Sequence, residues 1–304
     1  MAYQLVFKRY ELKYIMTREQ KARVIKAMAP YMTPDKFGKS TIRNIYFDSD
    51  DFILARHSIA KPDFKEKLRI RSYAKASENS TVFVELKRKA DHLVYKRRVA
   101  LPEQTAMKWT QGFAGKADSV SAIDCKSVKE PAQTQMNREI NYFLSYYGHL
   151  RPAAFIAYDR QAYKMRDCSP ELNSAGGHDQ DFRVTFDENI LFRDYDLSLT
   201  SDVYGERVLD EDKVLMELKC SGGIPLWMVK VLSEEGIYKT SFSKYGTAYS
   251  LYIQPEICKA SQAKAAAAAL SAEAGTERHS SRSRRYNNRS GRKHASFGFH
   301  FLGA

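Results

Sequence analysis

Glu85-Leu86-Lys87 recurs twice more in the chain, as Glu11-Leu12-Lys13 and Glu217-Leu218-Lys219. Residues two apart on a strand share a face. Each Glu and Lys therefore point one way, and the Leu between them points the other. Arg9 extends the first charged face and Lys89 the second. The segment 65–74 adds Lys67, Arg69 and Arg71 on one side, with Leu68 and Ile70 opposite. Arg160 in Tyr158-Asp159-Arg160, Arg183 in Phe182-Arg183-Val184, and Lys96 with Arg97 or Arg98 continue the pattern. One such face is what any half-exposed antiparallel sheet shows to solvent. Repeated over six or seven strands and dominated by Lys and Arg, it reads instead as the inside of a curled sheet.

Period-two patterns near residues 3–14, 40–48, 65–74, 80–89, 93–101, 152–166, 181–187 and 207–220 predict eight strands. Helical periodicity falls between and after them. Thr17-Arg18-Glu19-Gln20 has capping-box form and opens a helix toward Pro30, and 103–112, 134–147, 225–235 and 241–253 also read as helical. The expected fold is α+β: a closed antiparallel eight-stranded β-barrel with its charges inward and helices packed outside. Residues 1–258 form one such tunnel domain in this reading. At Lys259 an alanine run gives way to Ser, Arg and Asn without apolar periodicity, so 259–304 is expected to be a basic, disordered tail.

The 304 residues are 43% hydrophobic, enough for an ordinary core, and carry 49 Lys and Arg against 36 Asp and Glu, a net charge of +13. That excess points to an anionic partner. Cys125, Cys168, Cys220 and Cys258 are scattered without paired spacing, which indicates neither a disulfide framework nor a zinc site. The first residues lack the apolar core of a signal peptide, and no stretch approaches the ~20 apolar residues of a membrane span. The reading is a soluble cytoplasmic protein. There is no G-x-x-x-x-G-K-[ST] loop, no strand-linked G-x-G-x-x-G, no H-E-x-x-H and no G-x-S-x-G elbow, which sets aside P-loop nucleotide binding, zinc proteolysis and hydrolytic triads.

Cations converging inside a barrel repel one another and are neutralised by a polyanion, because Arg and Lys form charge-assisted bonds to phosphate oxygens. Glutamates beside such a chain make sense when a hard divalent cation sits between carboxylate and phosphate. Glu217 is the first candidate ligand, with Glu11 and Glu85 on the equivalent strands.

At this point the pattern resembles the catalytic domain of the VTC (vacuolar transporter chaperone) polyphosphate polymerases, in the triphosphate tunnel metalloenzyme superfamily. The resemblance covers about residues 5–253. It rests on Arg9 to Tyr14, Asn44 to Asp48, Leu68 to Arg71, Val84 to Lys87, Tyr158 to Arg160, Arg183 to Asp187, Met216 to Lys219 and Phe242 to Tyr245. It implies transfer of the γ-phosphate of ATP onto a growing polyphosphate chain, assisted by Mn²⁺ or Mg²⁺. By position it implies phosphate-contacting roles for Lys13, Arg69, Arg71, Lys87, Arg160, Arg183 and Lys244, and a metal-binding role for Glu217. Arg9, Lys67, Lys89, Lys96, Arg98 and Lys219 are the further substrate-binding candidates. Superfamily triphosphatases often begin with E-x-E-x-K, and here Arg9 replaces the first Glu. A tunnel triphosphatase and a non-catalytic polyphosphate binder are the alternative functions. No specific nucleic acid is expected, and the tail is assigned at most unspecific anion binding.

Overall fold

The computed structural model describes residues 10–90, 93–111, 131–166 and 182–269. The first strand, β1 (Tyr10–Thr17), leads into α1 (Arg18–Met28). The capping box is present: Thr17 Oγ1 accepts from Gln20 N at 3.1 Å, and Gln20 Oε1 accepts from Thr17 N at 2.9 Å. These two bonds satisfy donors that the first helical turn leaves without partners. There follow β2 (Met32–Asp48), α2 (Ile53–Ala60), β3 (Lys65–Ser72), β4 (Thr81–Ala90), β5 (Leu93–Pro102), α3 (Glu103–Gln111) and α4 (Pro131–Tyr147). The chain continues through β6 (Arg151–Met165), β7 (Arg183–Arg193), β8 (Glu206–Arg207), β9 (Lys213–Cys220), α5 (Leu226–Glu234), β10 (Lys239–Thr240) and α6 (Lys244–Ala248), ending in a π-helical turn at Tyr249–Ile253.

The strands form one antiparallel sheet of ten, in the order β10-β1-β9-β7-β6-β2-β3-β4-β5, with β8 attached to β7. This corrects the expectation of a closed eight-stranded barrel. Among the described residues β10 and β5 are the free ends of the path, and no backbone ladder joins them. The sheet nevertheless curls until side chains meet across its concave face: Lys87 on β4 donates to Glu11 on β1 at 2.7 Å.

The interleaved leucines explain the direction of curl. Leu86 and Leu218 are fully buried on the convex side. Leu86 joins Ile45, Leu68, Ile70 and Val84 against Phe143 and Leu144 of α4. Leu218 joins Tyr14, Met16, Val184 and Met216 against Val24 and Met28 of α1 and Met228 of α5. Burying each such side chain contributes about 1.5–3 kcal/mol. The helices thus take the apolar side, and the Glu, Lys and Arg residues are left facing inward.

Several elements differ from the sequence reading. The strand expected over 207–220 is broken into β8 and β9, β2 begins at Met32 instead of residue 40, and α2 and β10 were not foreseen. The helix expected over 241–253 is a short α6 followed by the π-helical turn. Residues 3–9 of the first expected strand, Arg9 included, lie outside the described residues. The chain divides into units of 1–251 and 252–304. In the second, 254–269 is helical, so the tail's first eleven residues depart from the expected disorder, and 270–304 lies outside the described residues. Alanine has the highest helix propensity of any residue, which accounts for the helix through the alanine run. No described helix is long and apolar enough to cross a membrane.

Candidate phosphate tunnel

The concave face encloses a cavity of about 580 Å³, within the range of about 300–1,000 Å³ usual for small-molecule sites. Twelve Lys and Arg side chains line it, against Glu11 and Glu217 as the only carboxylates on its lining among the described residues. The lining brings together Glu11, Lys13, Lys67, Arg69, Arg71, Lys87, Lys89, Lys96, Arg160, Glu217, Lys219 and Lys244 from the sequence-predicted set. Arg183 stands exposed at the start of β7, on the same face as Lys219 but off the lining. Arg98 and Glu85 are off the lining, and Glu85 pairs with the lining residue Lys96 at 2.6 Å.

Two carboxylate nodes organise the cations. At the first, Asp187 is fully buried and accepts from Arg160 Nε and Nη2 at 2.7 Å each and from Lys244 Nζ at 2.6 Å. Glu217 lies alongside, 3.2 Å from Lys244, 3.3 Å from Arg160 and 3.6 Å from Lys13. Burial drives both carboxyls upward. For Glu217, Lys244, Lys13 and Arg160 outweigh burial and hold it well below the usual carboxylate range. For Asp187, Arg160 and Lys244 outweigh burial and lower it. The same carboxylates raise Lys244 against its own burial.

At the second node, Glu85 is enclosed by Arg69 Nη2 at 2.8 Å, Lys96 at 2.6 Å, Arg98 at 3.5 Å and Arg71 at 3.8 Å. Its oxygens are occupied by cations, as are, among the described residues, those of Glu217 with four and Glu11 with two, but Glu11 and Glu217 are on the cavity lining and Glu85 is not. Arg69 also donates to Tyr46 Oη at 3.0 Å, and Arg71 to Asn44 Oδ1 at 2.9 Å and Tyr158 Oη at 3.0 Å.

Other cations lack such support. Lys65, Lys67 and Lys89 pair with no carboxylate among the described residues, and Lys67 donates to Ser243 Oγ at 2.8 Å. Burial, then the neighbouring Lys13, Lys87 and Lys65, push Lys67 well below the ordinary lysine value. Burial lowers Lys96 to about 7 despite Glu85, and Lys219 to about 8 despite Glu217. These are the electrostatics of a path that binds negative charge.

Lys244 is aimed by its surroundings. Ser243 caps α6, accepting from Gly246 N. Tyr245 stacks on Tyr46 at 4.9 Å and donates to Asp48 Oδ2 at 2.8 Å. Asp48 in turn accepts from Leu54 N and Ala55 N, each at 2.9 Å, so one buried carboxylate ties α2 to α6. Gly246 packs so closely against Ser58 that an added Cβ would lie 3.1 Å from the serine Cβ.

Asp187, Tyr46, Tyr158, Tyr245 and Ser243 were absent from the sequence-predicted site. The alternation Arg183, Thr185, Asp187 carried a signal for the first of them, because it places Asp187 on the charged face.

Glu11 and Glu217 are the carboxylates on this lining that would be available to a hard divalent cation, and both are paired with lysine or arginine in the structure. Glu11 Oε1 and Glu217 Oε1 flank Lys13 Nζ at 3.5 and 3.6 Å, giving two carboxylates on adjacent strands at the cavity surface. Magnesium-like ions are commonly held by one or two carboxylates, with water and substrate phosphates completing the shell. No group of three or more His, Cys, Asp and Glu with metal-binding geometry exists among the described residues.

The VTC domain profile matches residues 8–253. No protein of curated function matches the chain. Among solved structures the chain is similar to a Hippeastrum protein described as an adenylyl cyclase with a dominant triphosphatase activity, at a TM-score of 0.43 and 16% identity over 80% of this chain and 95% of that one. A Vibrio parahaemolyticus protein described as an adenylate cyclase gives a TM-score of 0.36 and 10% identity, over 79% of this chain and 96% of that one.

Proposed function

Because the chain belongs to the VTC domain family, we propose that it is a metal-dependent polyphosphate polymerase, transferring the γ-phosphate of ATP to the end of an inorganic polyphosphate chain. One observation supports this above the rest: a cavity with twelve cations and two carboxylates on its lining, running from uncompensated lysines to the cluster of Glu217, Arg160 and Lys244. Uncompensated lysines suit a long anion, and the mixed cluster suits the reacting phosphoryl group.

Phosphoryl transfer asks the protein for in-line positioning and for neutralisation of the transferred group. Arg69 and Arg71, held by Glu85, Tyr46 and Asn44, act as preset donors to phosphate oxygens that need no reorganisation on binding. Lys244 and Arg160 supply positive charge beside the transferred group, their positions fixed by buried Asp187. The terminal oxygen of the polyphosphate chain attacks the γ-phosphorus, the bond to the β–γ bridging oxygen breaks, and ADP leaves with that oxygen. Glu217, with Glu11, would hold Mn²⁺ or Mg²⁺, which supplies charge neutralisation at the phosphates when bound.

The test is ³¹P NMR of purified protein incubated with ATP and Mn²⁺. An internal-phosphate resonance together with ADP is the expected result. Orthophosphate without chain signal refutes the polymerase and identifies a tunnel triphosphatase. Polyphosphate binding without turnover refutes both and leaves a binding protein.

A further inference from the structure

The inner face of the sheet changes chemistry along its length. In register, Lys65 stands opposite Lys89 at one end, and Arg71 stands opposite Phe83 at the other. These rows are six residues apart on β3, roughly 20 Å at strand rise. Beyond Arg71 the same alternation reaches Tyr73. There the Arg98 guanidinium carbon lies 3.6 Å from the Phe83 ring centroid and 5.3 Å from that of Tyr73. Arg98 Nη2 donates to Tyr73 Oη at 3.0 Å, and the two rings meet edge to face at 5.6 Å. Tyr73 is 41% exposed. The result is a preassembled set of π surfaces, open to solvent at Tyr73 and off the cavity lining itself. It is joined to the phosphate path through Glu85, which holds both Arg98 and the cavity-lining Lys96.

We propose that Tyr73, Phe83 and Arg98 form a nucleobase platform, on which the base of the donor nucleoside triphosphate stacks while its phosphates run along Arg71, Arg69 and Lys96 toward the lysine end. This rests on reading the cavity as a phosphate tunnel. Every base has a π face, so aromatic and guanidinium planes bind bases with little regard to their hydrogen-bonding edges. The placement also orients the donor: the γ-phosphate points away from the aromatic end, and the growing chain occupies the side of Lys67, Lys65 and Lys89.

Calorimetric titration of the full chain separates the two ideas, using inorganic triphosphate as a ligand without a base and a non-hydrolysable ATP analogue as the ligand with one. Tyr73→Ala is expected to weaken the analogue by about fivefold or more, the lower end of base–aromatic stacking, and to leave triphosphate affinity unchanged. Unchanged affinity for both ligands overturns the platform. Equal weakening of both also overturns it, because the variant then acts through the phosphates or the fold. Tyr10, the exposed ring at the opposite end, provides the counter-test: selective loss of analogue binding in Tyr10→Ala instead places the base there and overturns the proposal. If the unaltered protein binds neither ligand, the tunnel reading fails and the platform with it. If it binds triphosphate but gains nothing from the base, only the platform fails.

Discussion

Binding of a phosphate chain should draw protons from solution. Burial holds Lys96 at about 7, reinforced by Arg69 and Arg71 and opposed by Glu85, and it holds Lys219 at about 8, opposed by Glu217. A polyanion against these lysines favours their charged forms and returns them toward about 10.4, the ordinary lysine value. At about pH 8.5 both are mostly neutral beforehand, so binding is expected to take up about two protons, and at about pH 6 close to none. Affinity then falls about tenfold per pH unit for each proton taken up. The measurement is titration calorimetry with inorganic triphosphate in two buffers of different ionisation enthalpy at each pH. Lys96→Met should remove about one proton from the uptake at the higher pH, which cancels any contribution from the ligand's own ionisation. The same shifts act on stability. A lysine whose folded value lies below its unfolded one binds more protons when unfolded, so the unliganded protein gains stability as pH rises from about 7 toward about 10. Equal proton uptake at both pH values, or uptake unaltered by Lys96→Met, would falsify this account.

Three further outcomes follow from the buried charges. Asp187→Asn leaves Arg160 and Lys244 short of a counter-charge and should cost about 3–5 kcal/mol, seen as a melting temperature lower by roughly 5–20 °C and partly restored by triphosphate. Because Asp187 is held below its unfolded value, its stabilisation is present above about pH 4 and is lost as pH falls through the folded value; acid unfolding of Asp187→Asn should accordingly be shallower. Glu217→Gln should abolish turnover while metal-free triphosphate binding is kept or tightened, since a negative charge leaves the path; retained turnover would exclude Glu217 as a metal ligand. Tyr245→Phe keeps the ring stacked on Tyr46 and deletes only the bond to Asp48, so a stability loss of about 1.5–3 kcal/mol and a lower kcat with unchanged KM are expected. An unchanged kcat would show that α6 needs no tether to aim Lys244.

Much of this arrangement was legible in the chain because it depends on local periodicity. Alternation alone assigns Leu86 and Leu218 to the packed side and Glu217, Lys219, Arg69 and Lys87 to the other, and the capping box marks the start of α1. What could not be read depends on pairing between distant segments. Whether ten strands close or stay open is decided by how the β5 and β10 ends meet, about which their own sequences say nothing. Asp187 acquires its importance from the register that sets it opposite Arg160 on β6. That register shifts between Ala157 and Asp159, where Asn189 takes a positive φ of 50° and its side chain bonds Asp159. α2 gave no ordinary start signal, because the residue at its N-terminal boundary is Phe52 in a left-handed conformation and the cap comes from Asp48 four residues earlier. The three Glu-Leu-Lys repeats looked equivalent as sequence. Only folding separates Glu85, which lies off the cavity lining, from Glu11 and Glu217, which are on it.

The contact between Lys87 and Glu11 spans the concave face from β4 to β1 by side chains alone, with no backbone ladder between the two strands. A hydrogen-bonded ladder would have to be torn to let a long molecule out sideways, and it is indifferent to ionic strength. An ion pair is exchangeable: salt screens it, and a phosphate group competes with Glu11 for the same ammonium. If the cavity holds a phosphate chain as proposed, its concave face is spanned at that point by the kind of bond that the chain itself can make, so the chain can take the place of the stitch it displaces.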